Sequence, residues 1–166
     1  MSIPTRITRE DRVQASLMAY LHVKLFDELG YPADRVKLIE AFEHSQFEGD
    51  KELDNNYISL GFNFDDGGVP AELGSTLITR TYTIELWVMA LTPQIGLNLA
   101  NAVRDEAQSD QVIPLLDIAQ AGAPVIDALI VGECRAQRQP VQDPQPWQEN
   151  LWIVHVELID EFYLGN

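Results

Sequence analysis

The stretch Leu77-Ile78-Thr79-Arg80-Thr81-Tyr82-Thr83-Ile84-Glu85-Leu86-Trp87-Val88, with the turn and helix signal that run on to Gln108, decides the fold. Ile78, Tyr82, Ile84, Leu86 and Val88 occupy even positions, while Thr79, Thr81, Thr83 and Glu85 occupy odd ones. Period two with β-branched and aromatic residues is the pattern of a strand with one dry face. Thr92-Pro93 ends it, because Thr is a good N-cap and Pro suits a first helical position whose N–H would have no partner anyway. Ile95, Leu99, Ala102 and Val103 then make one stripe, with Asn98, Asn101, Arg104 and Asp105 off it. A strand and helix joined this closely pack as a two-layer unit.

Upstream, Thr8 and Asp11 have capping-box spacing. Val13, Leu17, Leu21, Leu25 and Leu29 follow at every fourth residue, closed by Gly30 and Pro32. This predicts a core-facing helix of about 33 Å at 1.5 Å per residue. Val36–Phe42 reads as a short strand. The acidic run from Glu43 to Asn56 reads as a solvated loop. Tyr57–Phe64 alternates, with Ile58, Leu60, Phe62 and Phe64 on one face, and Asp65-Asp66-Gly67-Gly68 breaks it before the long strand, which predicts an antiparallel pair.

Downstream, Pro114, Gly122 and Pro124 punctuate a segment expected to hold a short helical turn near Leu115–Gln120. Asp127–Gln139 is a strand with Ala128, Ile130, Gly132, Cys134 and Ala136 on the expected core face. Pro140, Pro144 and Pro146 make a stiff loop. Leu151–Phe162 is the last strand, with Trp152, Val154, Val156 and Leu158 inward. The expected fold is α+β: a mainly antiparallel sheet of four or five strands with a β-β-α-β-β core, a long N-terminal helix, and the central helix on the sheet.

The opposite sheet face is not blank. Trp87, Met89, Leu129, Val131, Leu151, Ile153 and Ile159 point that way among Thr79, Glu85, Arg135, His155 and Glu157. Either the N-terminal helix or another subunit is expected to cover it.

Composition narrows the function. The 166 residues suit one domain burying roughly 70% of its unfolded surface. One cysteine, Cys134, excludes an intrachain disulfide and fits a reducing compartment. A net charge of −15 disfavours a surface that grips phosphates, though DNA can pass an acidic wall without sticking. The N-terminal residues lack the apolar stretch of a signal peptide. Leu86–Val103 is uncharged, but Pro93, Gly96 and its amides read as strand, turn and helix rather than a membrane span.

Catalytic patterns are thin. His22, His44 and His155 lack metal-ligand spacing, and Cys134 reads as a small core residue. Asn63, Asp65 and Gly67 begin like a calcium loop, yet Gly74 stands where the closing Glu is needed. A small metal-dependent enzyme built on His155, Glu157 and Asp160 is the rival from a different class. No cofactor or metal is expected.

The runs Leu60-Gly61-Phe62-Asn63-Phe64-Asp65-Asp66-Gly67-Gly68, Glu72-Leu73-Gly74-Ser75 and Arg80-Thr81-Tyr82-Thr83-Ile84-Glu85-Leu86-Trp87-Val88 resemble the tail terminator proteins of long, non-contractile-tailed phages of actinobacteria. Pro114-Leu115-Leu116-Asp117-Ile118 and the closing Trp147–Asp160 segment agree, so the resemblance extends from about residue 57 onward. It implies an α+β subunit in a hexameric ring at the head-proximal end of the tail tube. Such a ring stops tube polymerisation and presents a head-joining surface. The implied partners are further copies of the chain, the major tail tube protein and a head-tail connector or stopper, with assembly in the host cytoplasm and residence in the virion. A connector or stopper protein is the nearer alternative. Trp87, Met89, Leu129, Val131, Leu151 and Ile153, with Asp65, Asp66 and Arg80, are the contact candidates. Glu43, Glu48, Asp50, Glu52 and Asp54 are the candidates for an acidic lumen past which DNA slides.

Overall fold

A computed structural model describes residues 8–39, 55–64, 69–70, 74, 76–117, 123–144 and 148–163. In chain order these form helix α1 (Arg9–His22), strands β1 (Val36–Ile39), β2 (Asn56–Phe64), β3 (Val69–Pro70) and β4 (Leu77–Met89), helix α2 (Pro93–Ser109), and strands β5 (Val112–Asp117), β6 (Ala123–Arg138) and β7 (Leu151–Tyr163). The architecture is α+β, as the alternation and caps require. The sheet order is β1-β2-β4-β7-β6-β5, with β3 also on β4. Only β1 and β2 run parallel among these described pairs.

The Thr8 side chain accepts from the Asp11 N–H at 3.2 Å, and the Asp11 carboxylate accepts from the Thr8 N–H at 2.8 Å, completing the capping box. Val13, Leu17, Leu21 and Leu25 are all buried. A repeat of four overshoots an α-helical turn by about 40° each time, so a straight helix would carry the stripe off the core. Over Val23–Glu28 the helix widens into a π-type turn, with the Leu29 N–H reaching Lys24 O at 3.0 Å. That wider turn holds back the drift and returns Leu25 to the core. The stripe ends there: Leu29, expected inside, is 49% exposed.

In α2 the Thr92 hydroxyl accepts from the Ile95 N–H at 3.2 Å, and Leu99, Ala100, Val103 and Ala107 are buried. Gly96 lets the helix approach closely: a Cβ there would stand 3.2 Å from Trp152 Cδ1 and 3.3 Å from Asn150 O. β4 pairs with β7 along its whole length, from Leu77↔Tyr163 to Met89↔Leu151. Ile58, Leu60, Tyr82, Ile84, Leu86, Val88, Val154, Val156 and Leu158 make the dry face, and both helices sit on it.

Several expectations are corrected. The N-terminal helix does not cross to the opposite sheet face; α1 lies beside α2, its leucines in the same core as Leu99 and Val103. The turn expected near Leu115–Gln120 is strand β5 as far as Asp117, and residues 118–120 lie outside the described residues. The first strand is described only to Ile39. In β6 the pairing with β7 slips between Val131 and Cys134, an extra residue that rotates the strand before it. Leu129 is therefore buried in the helix-side core and Val131 packs against it, while Ile130, expected inside, is 42% exposed on the other face. From Cys134 onward the expected facing holds, since Cys134 and Ala136 pair with the inward Val156 and Val154.

Candidate subunit-contact surface

The face of the sheet away from α1 and α2 is laid out by strand register. Across β4, β7 and β6 it carries the rows Glu85, His155, Arg135 and Trp87, Ile153, Gln137, with Ile130 beside Ile159 farther along. Alternation in β4 and β7 puts Thr79, Thr81, Thr83, Glu157 and Glu161 on the same side. Trp87 Nε1 donates to Glu85 at 3.2 Å, which turns the indole along the sheet. With strands about 4.8 Å apart and thirteen residues long at about 3.4 Å each, the face measures on the order of 700 Å². A standard protein interface takes about 800 Å² from each partner.

The contact candidates separate on this map. Trp87 and Ile153 lie on the face and are half-buried. Met89 and Leu151 point the same way but are already buried, packed by Ile39, Tyr57, Trp87 and Val141 of the same chain. Leu129 and Val131 belong to the other side of the sheet. Asp65, Asp66, Glu43, Glu48, Asp50, Glu52 and Asp54 lie outside the described residues.

Arg80 faces α1 and is tied within its own chain. It bonds Glu10 at 2.8 Å and its guanidinium carbon stands 5.1 Å from the Phe162 ring centre. Beside it, Arg9 grips Asp160 with two nitrogens at 2.5 and 2.9 Å and lies 4.3 Å from the same ring. Burial, above all, pushes the nearby Tyr82 phenol up, and Asp160 and Glu10 add to it. Asp160 thus works in a clasp between the first helix and the last strand. It is on the opposite sheet face from His155 and Glu157, so those three do not converge on one ion. Among the described residues no three His, Cys, Asp or Glu side chains are grouped to hold a metal.

Among the described residues, two grooves flank the helices. The larger, about 710 Å³, runs between α1 and β5 and is lined by Ala19, Val23, Val112, Pro114 and Leu116, with Tyr20, Lys24 and Asp110 at its polar end. Tyr20 Oη stands 2.8 Å from Asp110 Oδ2, and this bond first, then Lys24, holds the Asp110 carboxyl below its ordinary range. A hydrogen bond to Glu28 is the first reason the Lys24 ammonium is raised.

This groove borders a sheet edge that offers few free donors to a further strand. The Val131 N–H donates to Gln111 O, so Val112 and Pro114, in the alternate position, turn their backbone groups outward. Pro114 has no N–H to offer, and the next outward donor, the Leu116 N–H, is taken by Ser16 Oγ at 2.9 Å.

The smaller groove, about 320 Å³, lies between the turn before β1 and the start of α2, lined by Tyr31, Pro32, Val36, Ile95 and Leu99 with Arg35 and Asn56. The sequence reading did not single it out. Its signal was present in Ile95, a large aliphatic that lines the groove and is 36% exposed.

No protein-family model matches the chain, and no curated protein matches it in sequence. No helix among the described residues is long and apolar enough to cross a membrane.

Proposed function

We propose that the protein is a structural subunit that assembles with copies of itself, and that it serves as a tail terminator: a ring, expected to be hexameric, that caps a phage tail tube and offers the surface on which the head is joined. The single observation that carries the assembly part is the one-sided layering. Both helices lie on one face of the sheet, and the other presents Trp87, Ile153, Ile159 and Ile130 among polar groups over an area of interface size. The tail assignment rests on the resemblance of the segments between Leu60 and Val88 and the strand that closes the chain. A head-tail connector or stopper is the second reading, since it would use the same kind of surface on a different neighbour.

Native mass measurement, of the chain alone and with the major tail tube protein, tests this. A defined oligomer that binds tube ends and halts their growth is the expected result. A chain that stays monomeric with the tube protein present, or that binds only a portal-side adaptor, rejects the terminator reading. Lysine in place of Glu43, Glu48, Asp50, Glu52 and Asp54 should slow DNA ejection if these carboxylates line the channel; unchanged ejection removes them from it.

A further inference from the structure

We propose that the larger groove, between α1 and β5, receives the segment Ile3–Ile7 of the next copy of this chain, with Arg6 of that copy at the groove's acidic end. This rests on the ring reading above and names a contact that would link one subunit to the next.

The groove is an apolar trough with an anionic end. Ala19, Pro114 and Leu116 line it together with Val23 and Val112, two aliphatics left 46% and 48% exposed. Helix α2 finishes at its polar end, and the carbonyls of a helix C-terminus favour a cation there. The last turn of α2 holds no basic residue but does hold Glu106, and Asp110 stands at the cap. Lys24 is shared between Glu28 at 3.1 Å and Asp110 at 3.4 Å, so one ammonium answers two carboxylates and a helix end. Both carboxylate side chains remain about half exposed, open to a second cation.

The chain itself supplies a segment of matching chemistry. The described residues begin at Thr8, and residues 1–7 hold Ile3, Pro4 and Ile7 with Arg6 and no acid. Every other stretch outside the described residues is acidic or uncharged. On a chain of net charge −15, this is therefore the one such segment that an acidic groove attracts. Ile3 to Ile7 covers about 14 Å when extended, the distance from Val112 to Leu116 along β5.

The groove that takes the segment belongs to a different copy. Sixteen residues of helix lead from Thr8 to Lys24, about 24 Å at 1.5 Å per residue. From Thr8, Arg6 has two residues of backbone, about 7 Å, and one side chain, so it falls short of the acidic end in its own subunit. A segment of one subunit seated on an unlike patch of the next is a heterologous contact, the kind that closes a ring.

Charge exchange tests the pairing. Arg6→Glu reverses the segment, and Asp110→Lys reverses the groove end while giving the α2 C-terminus the cation it lacks. Val112→Lys, at an exposed position, puts a charge into the apolar trough. Circular dichroism selects the folded versions, and sedimentation over a concentration series reads the mass. The expected result is an oligomer for the unaltered chain and a rise of at least about tenfold in the concentration at which each single variant assembles. Combining Arg6→Glu with Asp110→Lys should bring that concentration back to within about threefold of the unaltered value. Normal assembly by any folded single variant, or no recovery in the combined one, overturns the inference and leaves the ring reading standing. Normal assembly with loss of tube-protein binding gives the groove a different occupant and overturns it too. If the unaltered chain never assembles, the ring reading itself fails and the inference goes with it.

Discussion

Replacing Arg9 by Ala would strip the partner from Asp160, whose side chain is 1% exposed. The carboxylate now receives two charge-assisted hydrogen bonds in a fork geometry from a guanidinium that is itself only 13% exposed. Removing one member of a buried pair costs about 3–5 kcal/mol, because the charge left behind is dehydrated and unmatched. The lower end applies here, about 3 kcal/mol, since Arg80 stands opposite Asp160 in the β4–β7 register and is close enough to turn toward it. For a chain of this size that corresponds to a fall of about 6–12 °C in Tm. The paired replacement Arg9→Met with Asp160→Leu removes both charges and keeps the volume, so it should cost about 1 kcal/mol or less. Urea unfolding of the single variants and the pair yields the coupling, expected at about 2 kcal/mol. A loss below about 1 kcal/mol for Arg9→Ala, or a paired variant as weak as the sum of the singles, would refute the clasp as a source of stability.

Ser16→Ala should cost about 1–2 kcal/mol by leaving the Leu116 N–H without its acceptor, and light scattering should show more aggregation as the sheet edge regains a donor. Gly132→Ala places a Cβ 2.3 Å from Glu157 Oε1 and 3.2 Å from its Cγ; chemical denaturation should register a loss of about 1–2 kcal/mol that Glu157→Ala largely restores. Burial pushes the Cys134 thiol up to about 11. Iodoacetamide should therefore label it slowly at pH 8 in the native protein and readily in urea. The unfolded thiol ionises first as pH rises, so this residue's contribution falls between about pH 9 and 11, which stability measurements across that window would detect.

Local signals carried much of the architecture. Thr8 with Asp11, Thr92 with Pro93, and the alternations in β2, β4 and β7 are short-range physics, and each produced the element they encode. What escaped was set by partners far along the chain. Pro114 ahead of two leucines resembles a helix start, but at a sheet edge an outward-facing proline sacrifices no ladder bond, so tertiary position decided for strand. The slip at Gly132 and Glu133 has no period of its own; it turns Leu129 and Ile130 over because an extra residue advances a period-two pattern by one. The ion pair that ties α1 to β7 joins Arg9 to Asp160, 151 residues away, and no local pattern announces that distance. Of the contact candidates, Trp87 and Ile153 were legible from alternation alone. The smaller groove was not, because it is assembled from a turn, a strand start and a helix start that are unrelated in sequence.

The order of strands has a consequence for how the molecule is made. β7 is made after both β4 and β6, yet it is the strand that lies between them. Until Leu151–Tyr163 emerges, the nascent chain holds two half-sheets with facing open borders, and Arg9 waits for an acid not yet synthesised. Completion of the sheet is thereby postponed until β7 is made, when that strand must slide into a slot and bond on both sides at once. A chain cut before Leu151 would hold two sticky half-sheets with no strand to join them.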